Sequence, residues 1–342
     1  MLGVLYMRNE TRQLFNAYTH QLCALNGVDS TNTKFTVTPS VQQTLETRMQ
    51  ESSEFLTRIN IVPVNEKSGE KLGLGINSTI ASTTDTTKQD RQAIDPTDLD
   101  AAGYDCTQTN FDTVLRYAKI DMWAKFPDFQ ARIRDTILKR QALDRIMIGF
   151  NGTSRAATSD RGTNPLLQDV NKGWLQKIRE YAPQRHMKEV AADSGKIIIG
   201  TDYANLDALV FDMVNNLIEP WYQDDTELVA ICGRKLLADK YFPIVNKNHE
   251  PTETLAADLI ISQKRLGGLP AVRVPSFPAN GILVTRMDNL SLYWQEGARR
   301  RHIVDNPKRD QIENYESSND AYVVEDYGCA AFAENITFTQ GA

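Results

Sequence analysis

The sequence predicts an α+β protein in which a folded body carries two arms that have no core of their own. Residues 128–150 have the periodicity of one long amphipathic helix. Residues 202–306 alternate between helix-like and strand-like segments, separated by Gly and Pro. Residues 1–56 and 66–108, in contrast, hold few large apolar side chains. Such segments need a surface outside themselves to pack on, which predicts a subunit that assembles with others.

The composition is that of a folded protein and argues against several functional classes. The chain has 342 residues, 41% of them hydrophobic, which is enough for about two domains. A net charge of -6 and a pI of about 5.4 argue against a dedicated nucleic-acid-binding protein. The 4 cysteines are far apart, so we expect reduced thiols rather than a zinc site or a disulfide framework. No apolar stretch approaches the ~18 residues of a membrane span, and the opening MLGVLY is too short for a signal peptide.

Two helices are predicted in the first 60 residues. The apolar residues of the first recur at helical spacing, and Asn26-Gly27 ends it. After a polar joint, Thr38 and Pro39 suit the N-cap and the first position of the second helix. The apolar residues of the two helices are Leu14, Tyr18, Leu22 and Leu25, then Val41, Leu45, Met49 and Leu56. Because no element nearby in the sequence covers the first helix, we expect an uncovered arm.

The stretch from Leu72 to Thr87, LGLGINSTIASTTDTT, allows two interpretations. Its first glycines resemble a phosphate-binding loop, but the third glycine of a dinucleotide fingerprint is missing and β-branched residues stand where a helix should begin. The alternative is a two-stranded ribbon, because apolar residues stand at even positions. These residues are Leu72, Leu74, Ile76 and Ile80. A long loop without a core is usually functional, and a hairpin that packs on a neighbouring subunit fits the pattern.

The most regular helix is predicted between Asp128 and Phe150. Asp128 can cap its start, and Gly149 and Gly152 can end it, which gives a length of about 30 Å. Its apolar face consists of Phe129, Ile133, Ile137, Ala142, Leu143, Ile146 and Met147, whereas Arg132, Lys139 and Arg140 fall on other faces. A less regular helix is expected from Leu166 to Tyr181, before Pro183.

A compact α+β segment follows in the middle of the chain. We expect a helix from Tyr203 to Ile218, a strand at ELVAIC and a helix through RKLLADKYF. Short strands are then expected at AVRV, GILVT and LSLYW, and the tail again has the Tyr- and Val-rich pattern of strands. INIVPV, which precedes the candidate ribbon, is also strand-like.

No group of residues points to catalysis or to a cofactor. HEPTE, from His249 to Glu253, resembles a zinc-protease helix, but Pro251 breaks the helix and the fifth residue is Glu rather than His. The 4 histidines are not associated with a nucleophile motif such as GxSxG. We therefore expect a non-enzymatic protein with no metal and no cofactor.

The one basic cluster, GARRRHIVDNPKRD, contains Arg299, Arg300 and Arg301 in succession. It lacks interleaved aromatic residues and belongs to an acidic chain. Two interpretations stay open, ion pairs between subunits and weak contact with a polyanion.

The order of these elements resembles the Hong Kong 97-type capsid fold, and longer stretches resemble the major capsid proteins of the peduovirus group (P-two-like) of tailed bacteriophages. These stretches cover the chain in order from Met7 to about Glu334. They are FTVTPSVQQTLETRMQESSEFLTRINIVPV, STIASTTDT, DFQARIRDTILKRQALDRIMIGFNG, NPLLQDVNKGWLQK, NNLIEPWYQDD, ADKYFPIVN, DLIISQKRLGGLPAVRVPSFP and ENYESSNDAYVVEDYG. The length of the shared stretches makes the resemblance more specific than any single motif. ADSGKIIIGTD departs from it and resembles a variable surface loop.

The resemblance implies a domain layout. Residues 1–60 would form an N-terminal arm, 61–120 an extended β-hairpin loop with its flanking strands, and 121–200 the spine helix and peripheral domain. Residues 201–305 would form the axial domain, and 306–342 would return to the peripheral domain. In this fold the extended loop lies over the adjacent subunit, and the residues expected at that contact are Leu72, Leu74, Ile76, Ile80, Thr83 and Asp85.

The resemblance also implies partners and a maturation step. The subunits would form hexamers and pentamers of an icosahedral virion shell, assembled in the bacterial cytoplasm on an internal scaffold-protease with a portal protein. Residues 1–35 would contact the scaffold and be removed by a cut close to Phe35-Thr36. Packaged double-stranded DNA would be contacted weakly, and the candidate DNA-facing or intersubunit residues are Arg132, Lys139, Arg140, Arg299, Arg300 and Arg301. The resembling chains begin at the equivalent of Met7, so Met1 and Met7 both stay open as the start.

Two alternatives belong to other functional classes. A bacterial nanocompartment shell of the same fold would enclose a cargo enzyme in place of DNA. An enzyme of an unrecognised class would show a ligand-dependent shift in melting temperature.

Overall fold

The computed structural model describes residues 7–70, 75–76, 81–88, 90–91, 97–98, 103–126, 128–245 and 265–339. The α-helices in these ranges are α1 (Asn9–Asn26), α2 (Pro39–Glu51), α3 (Glu54–Arg58), α4 (Tyr117–Trp123), α5 (Phe129–Asn151), α6 (Trp174–Tyr181), α7 (Leu206–Leu217), α8 (Pro220–Gln223) and α9 (Arg234–Val245). The strands are β1 (Phe35–Thr36), β2 (Asn60–Val64), β3 (Ser68–Gly69), β4 (Gly75–Ile76), β5 (Thr97–Asp98), β6 (Tyr104–Asp105), β7 (Thr107–Asn110), β8 (Thr113–Arg116), β9 (His186–Met187), β10 (Ile197–Ile199), β11 (Leu228–Cys232), β12 (Arg265–Leu266), β13 (Leu269–Val272), β14 (Ile282–Arg286), β15 (Leu290–Gln295), β16 (Arg300–Asn306), β17 (Gln311–Val324), β18 (Ala330–Ala333) and β19 (Ile336–Phe338).

Strand β17 organises the first sheet. The sheet has the order β1-β16-β17-β15-β2, and β7 and β8 also pair with β17. Gln311 faces Asn306 of β16 and Arg116 of β8, so these two strands flank β17 on opposite edges. At 14 residues, β17 is long enough to pair with β16 and β8 in its first half and with β15 and β7 in its second.

A second sheet has the order β12-β13-β11-β14-β18-β9. Its central strands β11 and β14 are antiparallel, and β10 and β19 form a separate parallel pair. The expected boundary at residue 306 does not follow the sheets. β15 and β16 precede it but lie in the first sheet, and β18 follows it but lies in the second. The chain passes between the sheets more than once, which local sequence patterns do not show.

The long helix α5 joins two hydrophobic cores. Its first half contributes Phe129, Ile133 and Ile137 to a core shared with α1, α4 and the first sheet. Its second half contributes Ile146 and Phe150, among others, to a core between the two sheets and α6. α6 approaches closely because α5 has Gly149 there: a Cβ on Gly149 would lie 2.1 Å from Cζ3 of Trp174. A third core, around α7 and β11, belongs to the second sheet.

Most predicted elements are confirmed. α1 ends at Gly27, whose φ of 63° is left-handed as a glycine C-cap requires. α2 begins with Thr38 as N-cap and Pro39 at the first position. The predicted long helix corresponds to α5, and β2, α7, β11, α9, β14 and β15 lie where strands and helices were expected.

One predicted element was wrong in its bounds. The helix predicted from Leu166 begins only at Trp174, because the preceding backbone turns back on itself. The backbone N–H groups of Thr153 and Ser154 both donate to the Gln168 carbonyl, and the Asn171 side chain donates to the Asp320 carbonyl. In addition, the basic cluster was not predicted to be a strand, yet it forms β16 beside β17.

Candidate assembly elements

A buried ionic network joins the N-terminal arm to α5 and to the first sheet. At its centre, Arg145 of α5 contacts Glu46 of α2 in a short charge-assisted pair. The other side of its guanidinium donates to both carboxylate oxygens of Asp320, each at 2.9 Å. Ser318 accepts a further hydrogen bond at 3.2 Å. One guanidinium group therefore connects α2, α5 and β17.

A second arginine, Arg299, lies directly before β16 and completes the network. It donates to Glu46 at 2.8 Å, to Glu316 at 2.7 Å and to the Gln141 side-chain oxygen at 2.8 Å. Gln141 in turn donates to Glu316 at 2.9 Å. Arg145 and Arg299 are 1% and 0% exposed, so all of these charges lie away from water.

Burial and ion pairing shift the pKa values of these carboxylates in opposite directions. Burial alone would raise the pKa of Glu46, but the charges and hydrogen bonds of Arg145 and Arg299 outweigh it and the pKa is lowered. For Glu316 the same opposition, dominated by Arg299 and Arg301, lowers the pKa to about 2. Burial likewise disfavours the charged form of Arg145, but Asp320 and Glu46 raise its pKa. These groups stay ionised because each one stabilises the charge of its partners.

α1 is not the uncovered helix that the sequence predicted. Phe15 and Tyr18 are buried against α5 and the first sheet. Arg12 forms an ion pair with Asp305, and the backbone N–H of Arg8 donates to Asp121 at 3.2 Å. The covering residues come from positions more than 100 residues away along the chain, which explains why the sequence did not show them.

The candidate cleavage residues lie in a paired strand. Phe35 and Thr36 form β1, which pairs antiparallel with Arg301 and Arg300 of β16. Val37 N–H donates to the Arg299 carbonyl at 3.0 Å. Phe35 and Val37 are buried, at 7% and 1% exposure, and Thr36 is exposed. The backbone around the expected cut is thus already engaged as the edge of the first sheet.

The region of the extended loop shows a ribbon with one consistent register. Ser68 pairs with Asp105 and Gly69 with Tyr104. Further out, Gly75 pairs with Asp98 and Ile76 with Thr97, again antiparallel. Equal numbers of residues separate the two pairings on both strands, so there is no register shift between them.

The described residues between these two strands include a turn at Asp85–Lys88. Lys88 N–H donates to the Asp85 carbonyl at 3.0 Å, and Asp85 accepts from Thr87 N–H at 3.1 Å, which makes an Asx-type turn. The Thr87 hydroxyl, and after it the Thr87 N–H, donate to the Asp85 carboxylate and lower its pKa. Of the residues expected at the intersubunit contact, Thr83 and Asp85 are exposed and Ile76 lies in β4, whereas Leu72, Leu74 and Ile80 lie outside the described residues.

The basic residues expected to face DNA or another subunit divide into two groups. Arg132, Lys139 and Arg140 are exposed on α5. Arg132 pairs with Asp128 and Arg140 with Asp144, so aspartates of the same segment offset much of their charge.

The second group is a correction to the sequence interpretation. Arg299 belongs to the buried network, and Arg301, 8% exposed, donates to Asn314 and to the Tyr18 hydroxyl within the chain. Arg300 is half-buried and donates to the Gly297 carbonyl at 2.8 Å. Alternation along β16 explains the pattern, because Arg299 and Arg301 point to the same face of the strand and Arg300 to the other.

The network was missed because its members look like ordinary surface charges in the sequence. Gln141 and Arg145 on α5 stand one helical turn apart, as do Glu46 and its buried neighbour Gln42 on α2, on faces that the apolar pattern left as solvent-exposed. One feature of the sequence could have indicated the network: α2 and α5 each carry two polar residues one helical turn apart, next to an apolar residue.

Within the described ranges, no cluster of three or more His, Cys, Asp or Glu side chains is arranged to hold a metal ion. None of the helices in those ranges has the length and apolar content needed to span a bilayer.

Comparison with known proteins gives a consistent set of relatives. Residues 14–336 match the model of the family "Phage major capsid protein, P2 family". The chain is 57% identical to the capsid protein of Escherichia phage P2 over 96% of this chain and 95% of the relative. It is 40% identical to the major capsid protein of Serratia phage KSP20 over 98% of this chain and 99% of the relative.

Solved structures agree with this. A chain of the satellite phage P4 procapsid, solved with its size determination protein, matches 97% of this chain and 99% of its own length at 55% identity, with a TM-score of 0.81. A capsid chain of an empty GTA particle covers 84% of this chain and 90% of its own length with a TM-score of 0.51 at 16% identity, which supports the shared fold alone.

We expect Glu46→Gln to destabilise the subunit by about 3–5 kcal/mol, because it removes one carboxylate from two buried arginines and keeps the side-chain shape. Urea unfolding followed by the fluorescence of buried Trp174 measures the change. Glu51→Gln, an exposed glutamate of the same helix, should stay within about 0.5 kcal/mol of the unmodified chain. Equal stability of the two variants would show that the network does not hold α2.

Acid should weaken the same network. Because the folded pKa of Glu316 is lowered to about 2, its stabilisation is complete above the unfolded value and is lost as the pH falls from about 5 toward 2. The loss should amount to about 3 kcal/mol for this residue. Urea unfolding between pH 7 and pH 2.5 should show a smaller acid-dependent loss in Glu316→Gln than in the unmodified chain. Parallel pH profiles would contradict the assignment.

Proposed function

The chain belongs to the P2 family of phage major capsid proteins, and from this premise we propose that its copies form hexamers and pentamers that close into an icosahedral shell around double-stranded DNA. The observation that carries the proposal is the match of nearly the whole chain to a chain of the P4 procapsid, at 55% identity. The protein is a structural component of the virion. We assign it no catalytic role, in keeping with relatives described as capsid proteins.

The ribbon supports contacts between subunits. Its exposed turn at Asp85–Lys88 is joined to the first sheet through paired strands on both sides, so it can reach a neighbour without leaving its own subunit. A contact between different surfaces of identical chains is heterologous and generates rings. Many such contacts, each of ordinary size, stabilise a closed shell together.

We propose three further partners: an internal scaffold-protease, a portal protein and the packaged DNA duplex. For DNA, the supporting observation is that Arg132, Lys139 and Arg140 are exposed on α5, where Arg132 pairs with Asp128 and Arg140 with Asp144. A nearly neutral surface on an acidic chain would touch DNA without holding it tightly. The family model and both relatives are phage capsid proteins, and none of them favours the nanocompartment shell.

We also place the maturation cut at Phe35-Thr36. Proteases bind substrates as extended strands, and here the strand is already paired with β16 while the Phe35 side chain is buried. The segment must therefore leave the first sheet before it is cut. Assembly on the scaffold is the step that would release it.

Shortening the ribbon tests the shell contacts. The paired residues Ile76 and Thr97 can be joined by Asn-Gly in place of residues 77–96, since this dipeptide favours a two-residue hairpin turn. The shortened subunit should keep its melting temperature to within a few degrees but should not close shells when co-expressed with the scaffold-protease. Negative-stain electron microscopy of the unmodified chain and of Thr83→Ser should show uniform shells.

Closed shells formed by the shortened chain would show that the ribbon makes no contact that assembly requires. If the unmodified chain gave only soluble subunits with the scaffold present, the shell proposal itself would fail.

The cut should depend on release of β1. Chymotrypsin cleaves after Phe, and it should cut the soluble subunit slowly at Phe35. Val37→Ser removes a buried apolar contact next to the bond and should accelerate that cut about tenfold or more, whereas Lys34→Ser, at an exposed position, should not. Intact mass identifies the fragment, and chains from mature shells should begin at Thr36. Rapid cutting of the unmodified subunit, or mature chains that keep residues 7–35, would contradict the proposal.

A further inference from the structure

A polar groove of about 320 Å³ lies between β7, α5 and the segment that precedes α6. Asp169 of that segment lines the groove and is fixed by its own loop. The Ala156 N–H donates to the Asp169 carbonyl at 2.8 Å, and the Asp160 N–H donates to Asp169 Oδ2 at 2.7 Å. The backbone position and one carboxylate oxygen of Asp169 are therefore set within the loop.

Two buried polar atoms of the groove have no hydrogen-bond partner within the described ranges. They are Oδ1 of Asp169 and Oγ1 of Thr109 on β7, and the two residues are 8% and 5% exposed. Almost all buried polar groups in folded proteins donate or accept a hydrogen bond, and a buried charge is ordinarily paired. Asp169 therefore needs a cationic donor at Oδ1.

The other carboxylates of the groove have partners inside the chain. Asp144 forms an ion pair with Arg140. Asp112 accepts a hydrogen bond from the Glu316 N–H at 3.3 Å. Among the described residues that line the groove, Asp169 is thus the carboxylate whose charge stays unpaired.

The exposed arginines of the groove do not supply the missing donor. Arg155 donates to the Val170 carbonyl at 2.8 Å. Arg161 lies close enough to Asp112 to lower the pKa of that carboxyl, although burial has the largest effect on this pKa and raises it. In the part of the chain that the structure describes, neither arginine bonds to Asp169 Oδ1.

The chemistry of the lining favours an ammonium or guanidinium group over water or a metal ion. Water could bond to both unpartnered atoms but would leave the Asp169 charge unpaired. Ca²⁺ and Mg²⁺ prefer about six or more oxygen ligands, and the described residues contain no cluster of three or more His, Cys, Asp or Glu that could hold a metal. Ammonium and guanidinium groups carry several N–H donors. The apolar part of the lining, with Phe111, Ile148 and Leu167, suits the methylene stem of Lys or Arg.

We propose that the groove receives a lysine or arginine side chain of a neighbouring subunit, whose cationic head pairs with Asp169 Oδ1 and donates to Thr109 Oγ1. The neighbour rests on the proposed function, in which identical chains surround one another in a shell. A contact between different surfaces of identical chains is incomplete in an isolated subunit and complete in a ring. The charge of Asp169 therefore stabilises the shell and destabilises the free subunit.

Asp169→Asn tests the charge, because the amide keeps the shape of the side chain and its oxygen can still accept from the Asp160 N–H. The subunit expressed without the scaffold should melt about 2 °C or more above the unmodified chain, since a buried unpaired charge is gone. Shells obtained by co-expression with the scaffold-protease should change in the opposite direction and dissociate about tenfold faster or more in urea, as followed by light scattering. Asp193→Asn, exposed and outside the groove, should change neither quantity.

Thr109→Val tests the second atom. It replaces an unpartnered buried hydroxyl by a methyl group, so the free subunit should keep or raise its melting temperature. Its shells should dissociate about threefold faster or more, because the neighbour's donor loses an acceptor.

A lower melting temperature of Asp169→Asn, or its failure to fold, would overturn the proposal, because Asp169 would then be paired within its own chain. A melting temperature that spermidine or Mg²⁺ raises in the unmodified subunit but not in Asp169→Asn would also overturn it, since the occupant would then be a free cation. Asp169→Asn shells as stable as unmodified shells would refute only this inference. An unmodified chain that forms no shells with the scaffold present would instead contradict the proposed function, and this contact with it.

Discussion

The network around Arg145 and Arg299 is the constraint on which the arrangement of the arm depends. Removing a charge from water costs several kcal/mol, and a buried ion is tolerated only when its partners and hydrogen bonds are all in place. Glu46 is a carboxylate partner of both arginines, so α2 cannot leave the body without removing one buried ion pair from each of them. The part of the arm that follows Thr36 is therefore fixed to the folded body.

The part of the arm before Thr36 is held differently. α1 is attached through Phe15 and Tyr18, an ion pair that is partly exposed at Arg12, and the short strand β1. Apolar contacts of this size can be broken and re-formed without leaving an unpaired buried charge. The two parts of the arm are thus attached in different ways, and the boundary between them falls at the cut that we propose.

Local periodicity was sufficient to predict most helices and strands, because α7 buries one apolar face and β11 and β14 are mostly apolar runs buried on both faces. It failed where burial is decided by distant partners. Of the apolar residues expected on the second helix, Met49 and Leu56 are buried, whereas Val41 and Leu45 are only half-buried. Glu46 faces inward instead, because Arg145 and Arg299 lie 99 and 253 residues further along the chain. The arginine cluster was misjudged for the same reason, since nothing near residue 299 in the sequence indicates that Glu316 and Gln141 enclose it.

The same argument separates what the subunit stabilises by itself from what needs neighbours. The two sheets, α5 and α6 share cores whose side chains are fully covered, and the ionic network is satisfied inside one chain. The ribbon is a two-stranded element with short paired segments, and such elements are marginal without a third surface. The ribbon thus lacks a partner for a structural reason, and a protein that functions in a closed assembly is expected to keep such a surface available until its neighbours supply the missing contacts.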